Sequence, residues 1–462
     1  MTGSRTPRNR APGKPADPVR RAAYQVVRQV NGAEGYGNLV LGRVLREARL
    51  TGRDAAFCTE LVHGTLRWQG TYDEILARCV TRPINELDPD LLDVLRLGTH
   101  QLLRMRVGSY AAVSETVTLA RAELGQRRTG LVNAVLRKVS QRSLDQWVDT
   151  LAPAEPDRAG WLAVAHAHPR WVVEAFADAL GGDLGEVEQV LAADNEPPRV
   201  TLVARPGLSS VDELLAAAPD AAAGRWSPYA VVLGGGDPGG IAAVAEGRAG
   251  VQDEGSQLVA LALAEAPVEG RDARWLDLCA GPGGKSALLA AIGVQRDAVL
   301  TAVEPQQHRA QLVRGNLRAV PGAHRVLVVD GTTPTWAAGS FDRVLADVPC
   351  TGLGALRRRP EARWRRTPAD VEELRPLQER LLAAAIDSVR PGGVVAYVTC
   401  SPHQAETRAV VDAVAGARED VVLVDARPLL PGVPDLGDGP DVQLWPHRHG
   451  TDAMYLALMR RS

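Results

Sequence analysis

The sequence predicts an all-helical first half and an open α/β sheet in the second, with a small α+β segment between them. Three observations carry this. From Val19 to about Ser140 apolar residues recur at the helical period. From about residue 251 short apolar strands alternate with helical stretches, the pattern of an open parallel sheet covered by helices on both faces. Within that half, Trp275-Leu-Asp-Leu-Cys-Ala-Gly-Pro-Gly-Gly-Lys285 reads as strand, glycine turn and helix, which brings bare backbone close to a nucleotide-like ligand.

Composition narrows the class. A chain of 462 residues has room for about three domains. No apolar run approaches the roughly 18 residues of a membrane span, and the N-terminus lacks a signal-like apolar core, so a cytoplasmic protein with no membrane contact is expected. A formal net charge of −2 excludes a wholly basic surface, so any nucleic-acid face is local. The five cysteines (Cys58, Cys79, Cys279, Cys350, Cys400) are odd in number and never spaced C-x-x-C, which argues against a disulfide framework or a zinc site. His166/His168 and His447/His449 sit in loops, and no metal is expected. A monomer is the working expectation.

In chain order, residues 1–16 (Arg5, Arg8, Arg10, Lys14) read as a disordered basic arm. Residues 17–145 form the helical domain. Val19, Ala22, Ala23, Val26, Val27 and Val30 share one face, as do Leu91, Val94, Leu95, Leu102 and Met105 with Gly98. Asp88-Pro89 reads as N-cap and first helical residue. Residues 146–250 are a helical connector, with Trp147, Trp161 and Trp171 as core, and then a small α+β segment. Its strands are Arg199–Ala204 and Ala230–Leu233, around the helix 210–218.

Residues 251–462 carry the sheet. Expected strands are 275–280, Ala298–Val303 ending at Glu304, Arg325–Val329 ending at Asp330, Phe341–Val348 ending at Pro349-Cys350, and Gly393–Val398 ending at Thr399-Cys400-Ser401. Helices are expected over 286–292, 306–319, 370–389 and 405–415. Ligands bind at the carboxyl ends of such strands, and Glu304, Asp330, Asp347, Cys350 and Cys400 all fall there. The spacings G-x-G-x-x-G and G-x-x-x-x-G-K-[ST] are both absent, so a nucleoside ligand without a phosphate chain, S-adenosylmethionine in particular, fits better. Glu304 can accept two ribose hydroxyls, and Asp330 can sit near the adenine amino group. Each could equally be a helix N-cap.

Two cysteines and an aspartate at neighbouring strand ends are the parts needed to methylate a pyrimidine. A thiolate adds to carbon 6, carbon 5 becomes nucleophilic, and a proton relay serves the ring. The residues alone do not rank Cys350 against Cys400. Cys58 and Cys79 read as inert core thiols, and Cys279 lies at the glycine turn.

With these residues in view the chain resembles the RNA cytosine-5 methyltransferases of the Fmu/Sun type. The matching stretches are Asp277-Leu-Cys-Ala-Gly-Pro-Gly-Gly-Lys285, Asp347-Val-Pro-Cys350, Thr399-Cys-Ser401 with Glu406, and Gly450-Thr-Asp452 before the closing strand. Thr59-Glu-Leu-Val-His-Gly-Thr-Leu-Arg-Trp68, Ala111–Arg121 and Gly130–Arg137 resemble a NusB-type helical RNA-binding domain. The arginines there could face phosphates or be an ordinary solvated surface. The resemblance implies an all-α NusB-like domain, a small α+β linker domain and a Rossmann-like S-adenosylmethionine methyltransferase domain acting on 16S ribosomal RNA. Transfer RNA, another ribosomal site or a non-catalytic assembly role are the alternatives.

By resemblance, Cys279, Ala280, Gly281, Pro282, Gly283, Gly284 and Lys285 wrap the methionine part of the cofactor. Glu304, Asp330 and Asp347 contact it or the base. Cys400 is implied as nucleophile and Cys350 as its helper in product release. Three departures stand out: Gly281 where the family commonly has alanine, Glu304 where aspartate is more usual, and Thr407 after Glu406 where asparagine is frequent. The run Arg357-Arg-Arg-Pro-Glu-Ala-Arg-Trp-Arg-Arg366 follows Cys350 closely. Arg357, Arg358, Arg359 and Trp364 are expected at the pocket mouth, contacting single-stranded RNA, although a charge run alone is more often a solvated loop.

Overall fold

The computed structural model describes residues 15–32, 35, 37–152, 156–322 and 324–462. Almost all of the expected basic arm lies outside them. The chain divides into two compact units: residues up to Arg170 together with Arg359–Trp364, and Trp171–Arg358 together with Arg365–Ser462.

In the first unit the main helices are Pro18–Gly32, Gly37–Glu47, Gly52–Cys79, Pro89–Leu103, Ser109–Leu124 and Thr129–Val139. The periodic residues are its core: Val19, Ala22, Val26, Val27, Val30, Leu91, Val94 and Leu95 are all buried. That burial, rather than propensity, stabilises helices of this length. Asp88 accepts the Asp90 N–H at 3.0 Å and Pro89 opens the helix, as the sequence predicts. Trp147 is buried, its indole N–H donating to the Val139 carbonyl at 3.0 Å.

The segment Arg359–Trp364 is part of this same core. The Trp364 indole N–H donates to the Leu66 carbonyl at 2.8 Å, and its ring lies where a side chain on Gly70 would otherwise go. Arg363 is fully buried and donates to the carbonyls of Arg67 and Ala167, while Glu361 accepts the Gly37 N–H at 3.0 Å.

In the second unit two helices, ending at Ala179 and Asn195, precede a small four-stranded sheet of β1 (Thr201–Ala204), β2 (Ala222–Ala223), β3 (Ala230–Val232) and β4 (Ala249–Val251), in the order β2-β3-β1-β4. The main sheet contains β5 (Arg274–Asp277), β6 (Val299–Val303), β7 (Arg325–Leu327), β8 (Phe341–Asp347), β9 (Val389–Thr399), β10 (Val421–Val424), β11 (Val442–Gln443) and β12 (Tyr455–Arg461). Their order is β10-β12-β9-β8-β5-β6-β7, with β11 on β12. Alternate residues feed opposite cores. Trp275, Leu345, Ala396 and Val398 pack with Val259, Leu288 and Val313. Leu276, Val344, Ala346 and Tyr397 pack with Leu382, Ile386 and Val410 on the other face.

The sheet differs from the expected one in two ways. It is mixed, because β12 pairs antiparallel with β9 and with β10, and the Val421–Val424 strand was not anticipated. Asp330 also stands three residues beyond β7 rather than at its end. The parallel part, β9-β8-β5-β6-β7, reverses direction at β5, where β6 lies on one side and β8 on the other. That reversal is where an open α/β sheet offers a ligand crevice. Among the described residues no helix is long and apolar enough to cross a membrane.

Candidate active site

The turn after β5 is closed on itself by a buried carboxylate. Asp277 Oδ2 accepts the Ser286 hydroxyl at 2.6 Å, and Oδ1 takes the Cys279 N–H at 3.4 Å. One side chain thus ties the strand end to the first turn of the helix Gly284–Val294. Burial pushes the Asp277 carboxyl up to about 7; the Ser286 hydrogen bond opposes this and nearby Asp347 adds to it. Gly283 has φ 110°, and a Cβ there would lie 2.8 Å from the Val313 backbone, so only glycine fits. No side chain caps the following helix, which leaves its first N–H groups open to a ligand.

The helix Gln307–Leu317 holds the turn's carbonyls. Arg309 donates to Gly281 O at 2.7 Å, and Asn316 donates to Pro282 O at 3.0 Å. Arg205, buried at the start of the small sheet's first connection, donates in turn to Asn316 Oδ1 at 3.0 Å. Ala280 is buried and its N–H pairs with Val303 O. Cys279 stays a thiol: burial, then the charges of Asp277, Asp347 and Glu304, push its pKa well up.

The cofactor-side carboxylates have different surroundings. Glu304 is 3% exposed, accepts the Gln306 N–H at 3.0 Å and lies 3.6 Å from Arg309 Nε. Asp330 is exposed and accepts both the N–H and the hydroxyl of Thr332 at 2.8 Å, bonds that hold its carboxyl below the usual range.

Across the crevice, Lys285 Nζ bonds Asp347 Oδ2 at 2.8 Å. Burial works to lower the lysine pKa. Asp347 outweighs it through charge and hydrogen bond, with a smaller contribution from Cys400, so the ammonium is held above its ordinary value. The sulfurs of Cys350 and Cys400 are 3.4 Å apart. The hydrogen bond to Cys400, burial, and the charges of Cys400, Glu406 and Asp347 push the Cys350 thiol well up. The glycine turn, the acid and both sulfurs therefore share one end of the sheet.

What sets the two sulfurs so close is a buried carboxylate. Glu406 accepts the Thr351 N–H at 2.8 Å, the Thr351 hydroxyl, and Gln378 Nε2 at 3.1 Å. Gln378 also donates to Pro349 O at 2.9 Å. Thr351 Oγ1 lies 3.2 Å from Ser401 Oγ, and Gly354 N–H donates to Cys400 O at 2.8 Å. The Cys350 loop is thus stitched to the Cys400 loop on both sides.

The arginine run behaves otherwise. Arg357 donates to Gly450 O at 3.0 Å and Asp452 at 3.3 Å, and Arg358 pairs with Asp452 at 3.0 Å and with Asp253. Trp364 belongs to the helical core. All three side chains have internal partners: Arg357 and Arg358 compensate buried Asp253 and Asp452, and Trp364 donates to the Leu66 carbonyl. Arg359 is exposed. Arg205, Ser286, Arg309, Asn316, Thr351 and Gln378 were missed in the sequence, where each is an unremarkable polar residue far from its partner. Among the described residues no group of three metal-ligating side chains occurs.

Comparison with known proteins follows the same division. The profile of the family described as 16S rRNA methyltransferase RsmB/F matches residues 262–460, and that of the NusB family matches residues 17–141. A Mycobacterium tuberculosis (strain H37Rv) protein named only as a methyltransferase is 56% identical over 99% of both chains. A Synechocystis protein named "Probable ribosomal RNA small subunit methyltransferase B" is 30% identical over 96% of this chain and 99% of its own. The crystal structure of PH0851 matches with a TM-score of 0.81 at 21% identity, covering 96% of this chain and 98% of that one, a likeness of fold. The chain belongs to the RsmB/F family of S-adenosylmethionine-dependent rRNA methyltransferases, with a NusB-family domain ahead of its methyltransferase domain.

Proposed function

We propose that this enzyme methylates carbon 5 of a cytosine in 16S ribosomal RNA, with Cys400 forming a transient covalent bond to the base. The observation that carries the reading is the 3.4 Å approach of the two sulfurs beside the Lys285–Asp347 pair. Carbon 5 of cytosine is a poor nucleophile until a group adds at carbon 6. By the family resemblance Cys400 is the sulfur that adds; Cys350, 3.4 Å away, is placed to donate a hydrogen bond to it.

Formation of the S–C6 bond pushes an electron pair through carbon 5 toward ring nitrogen 3, where the Lys285–Asp347 pair supplies a proton. S-adenosylmethionine supplies the electrophilic methyl group. The residues fit it: the turn from Cys279 to Lys285 presents bare backbone, and Glu304 and Asp330 offer acceptors for ribose and adenine. Once the methylated carbon 5 loses its proton to a base, its electron pair re-forms the C5–C6 double bond, the C6–S bond breaks, the thiolate leaves, and ring nitrogen 3 returns its proton to the Lys285–Asp347 pair. Cys350, within hydrogen-bond reach of that sulfur, assists the departure. The target base must leave its stack to be reached from both sides.

Bisulfite mapping of ribosomal and transfer RNA with and without the gene tests the reading. One 16S cytosine should lose its methyl group. Loss confined to transfer RNA would overturn the substrate, and no loss anywhere would overturn the chemistry.

A further inference from the structure

Two of the departures from the family pattern, Gly281 and Glu304, touch one another. We propose that they are a matched pair that sets the depth of the sugar-binding carboxylate, with Arg309 locking both. The proposal rests on the reading of Glu304 as the acceptor of the cofactor's ribose hydroxyls.

Glu304 follows β6 and is almost fully buried. Its Oε1 is held by the Gln306 N–H at 3.0 Å, which leaves Oε2 lying over Gly281. A Cβ built on Gly281 would overlap that oxygen, and would stand 3.0 Å from both Nε and Nη2 of Arg309. The carboxylate therefore occupies the space a methyl side chain would need. Arg309 reaches both members, its Nε 3.6 Å from Oε2 as an ion pair and its Nη2 donating to Gly281 O at 2.7 Å. Turning the carboxylate away from the turn would give up the Gln306 N–H on one oxygen or the guanidinium charge beside the other.

The longer acid thus requires glycine, and alanine at 281 requires the shorter acid. Gly281 is a positioning residue: its missing side chain lets the Glu304 carboxylate reach the turn. Alanine there would push the carboxylate off the sugar, and aspartate at 304 alone would leave a gap beside the turn.

The test is the affinity of the purified full-length protein for S-adenosylhomocysteine, by calorimetry, for Gly281→Ala, Glu304→Asp, the double variant and Glu304→Ala. Gly281→Ala should weaken binding by about tenfold or more, as loss of a charge-assisted hydrogen bond does. Glu304→Asp should weaken it less. The double variant should return to within about threefold of the wild type, the non-additivity expected of touching residues. With a 2′,3′-dideoxyribose analogue the Gly281→Ala penalty should shrink, which a general loosening of the turn would not produce. Additive losses in the double variant, or full affinity in Gly281→Ala, would overturn the pairing. Full affinity in Glu304→Ala would instead sink the ribose role. The rescue by a second substitution also reports that the double variant folds.

Discussion

The turn from Asp277 to Ser286 and the arginine run from Arg357 to Arg366 are equally conspicuous in the sequence, yet their side chains meet opposite fates. The turn lies at the reversal of the parallel strands, with Lys285 on Asp347 and the two sulfurs nearby. The run is divided between the two units. Arg357 and Arg358 neutralise Asp253 and Asp452, and Arg363 and Trp364 enter the helical core. Position at a strand end is a property of backbone geometry. Whether a charge faces solvent depends on what folds against it.

The comparison can be broken most decisively at Cys400. Replacing it with alanine should reduce methyl transfer by at least about 10³-fold, as loss of a nucleophile does, while S-adenosylhomocysteine binding persists. Transfer at the wild-type rate would remove Cys400 from the reaction. Cys350→Ala should retain the first bond-forming step and accumulate a protein–RNA adduct on a denaturing gel; absence of any adduct would refute the release role.

The arginine run is tested by stability and not by activity. Arg358→Ala leaves two buried carboxylates short of a partner, and should cost about 3–5 kcal/mol in denaturant unfolding. Trp364→Ala should cost about 3 kcal/mol by emptying its place beside Gly70. If either variant kept wild-type stability and only flattened the salt dependence of RNA binding, the run would serve as an RNA contact and not as an internal brace.

The smallest effect lies in the turn. A carboxyl raised to about 7 in the folded protein binds a proton that the unfolded chain has released above its ordinary value near 4. Its contribution to stability is therefore fully present below pH 4 and lost as pH rises toward 7. Asp277→Asn keeps an acceptor for Ser286 and removes the titration, so its melting temperature should fall less than the wild type's between pH 4 and 7. Parallel curves would show that Asp277 is already ionised when folded.

Much of the site was legible because strand, turn and helix are local patterns. Alternation and glycine spacing place Glu304, Asp347, Cys350 and Cys400 at strand ends before any contact is known; they place Asp330 there too, though it stands three residues beyond β7. The network that sets their distances was not legible. Glu406 meets Thr351 across 55 residues, Gln378 meets Pro349 across 29, and Arg205 meets Asn316 across 111. None of these pairs has a spacing signature, and the same holds for Trp364 and Leu66, 298 residues apart.

By itself the sequence determined which residues could do chemistry and on which kind of backbone feature they stand, because helical and strand periods and the turn-forming glycines act over a few neighbouring residues. The tertiary structure alone decided that the two sulfurs meet, which arginines are internal, and that the Glu304 carboxylate lies over Gly281. Those outcomes depend on burial, on the charge of partners brought from distant segments and on the exclusion of overlapping atoms, quantities that do not exist until the chain has closed on itself.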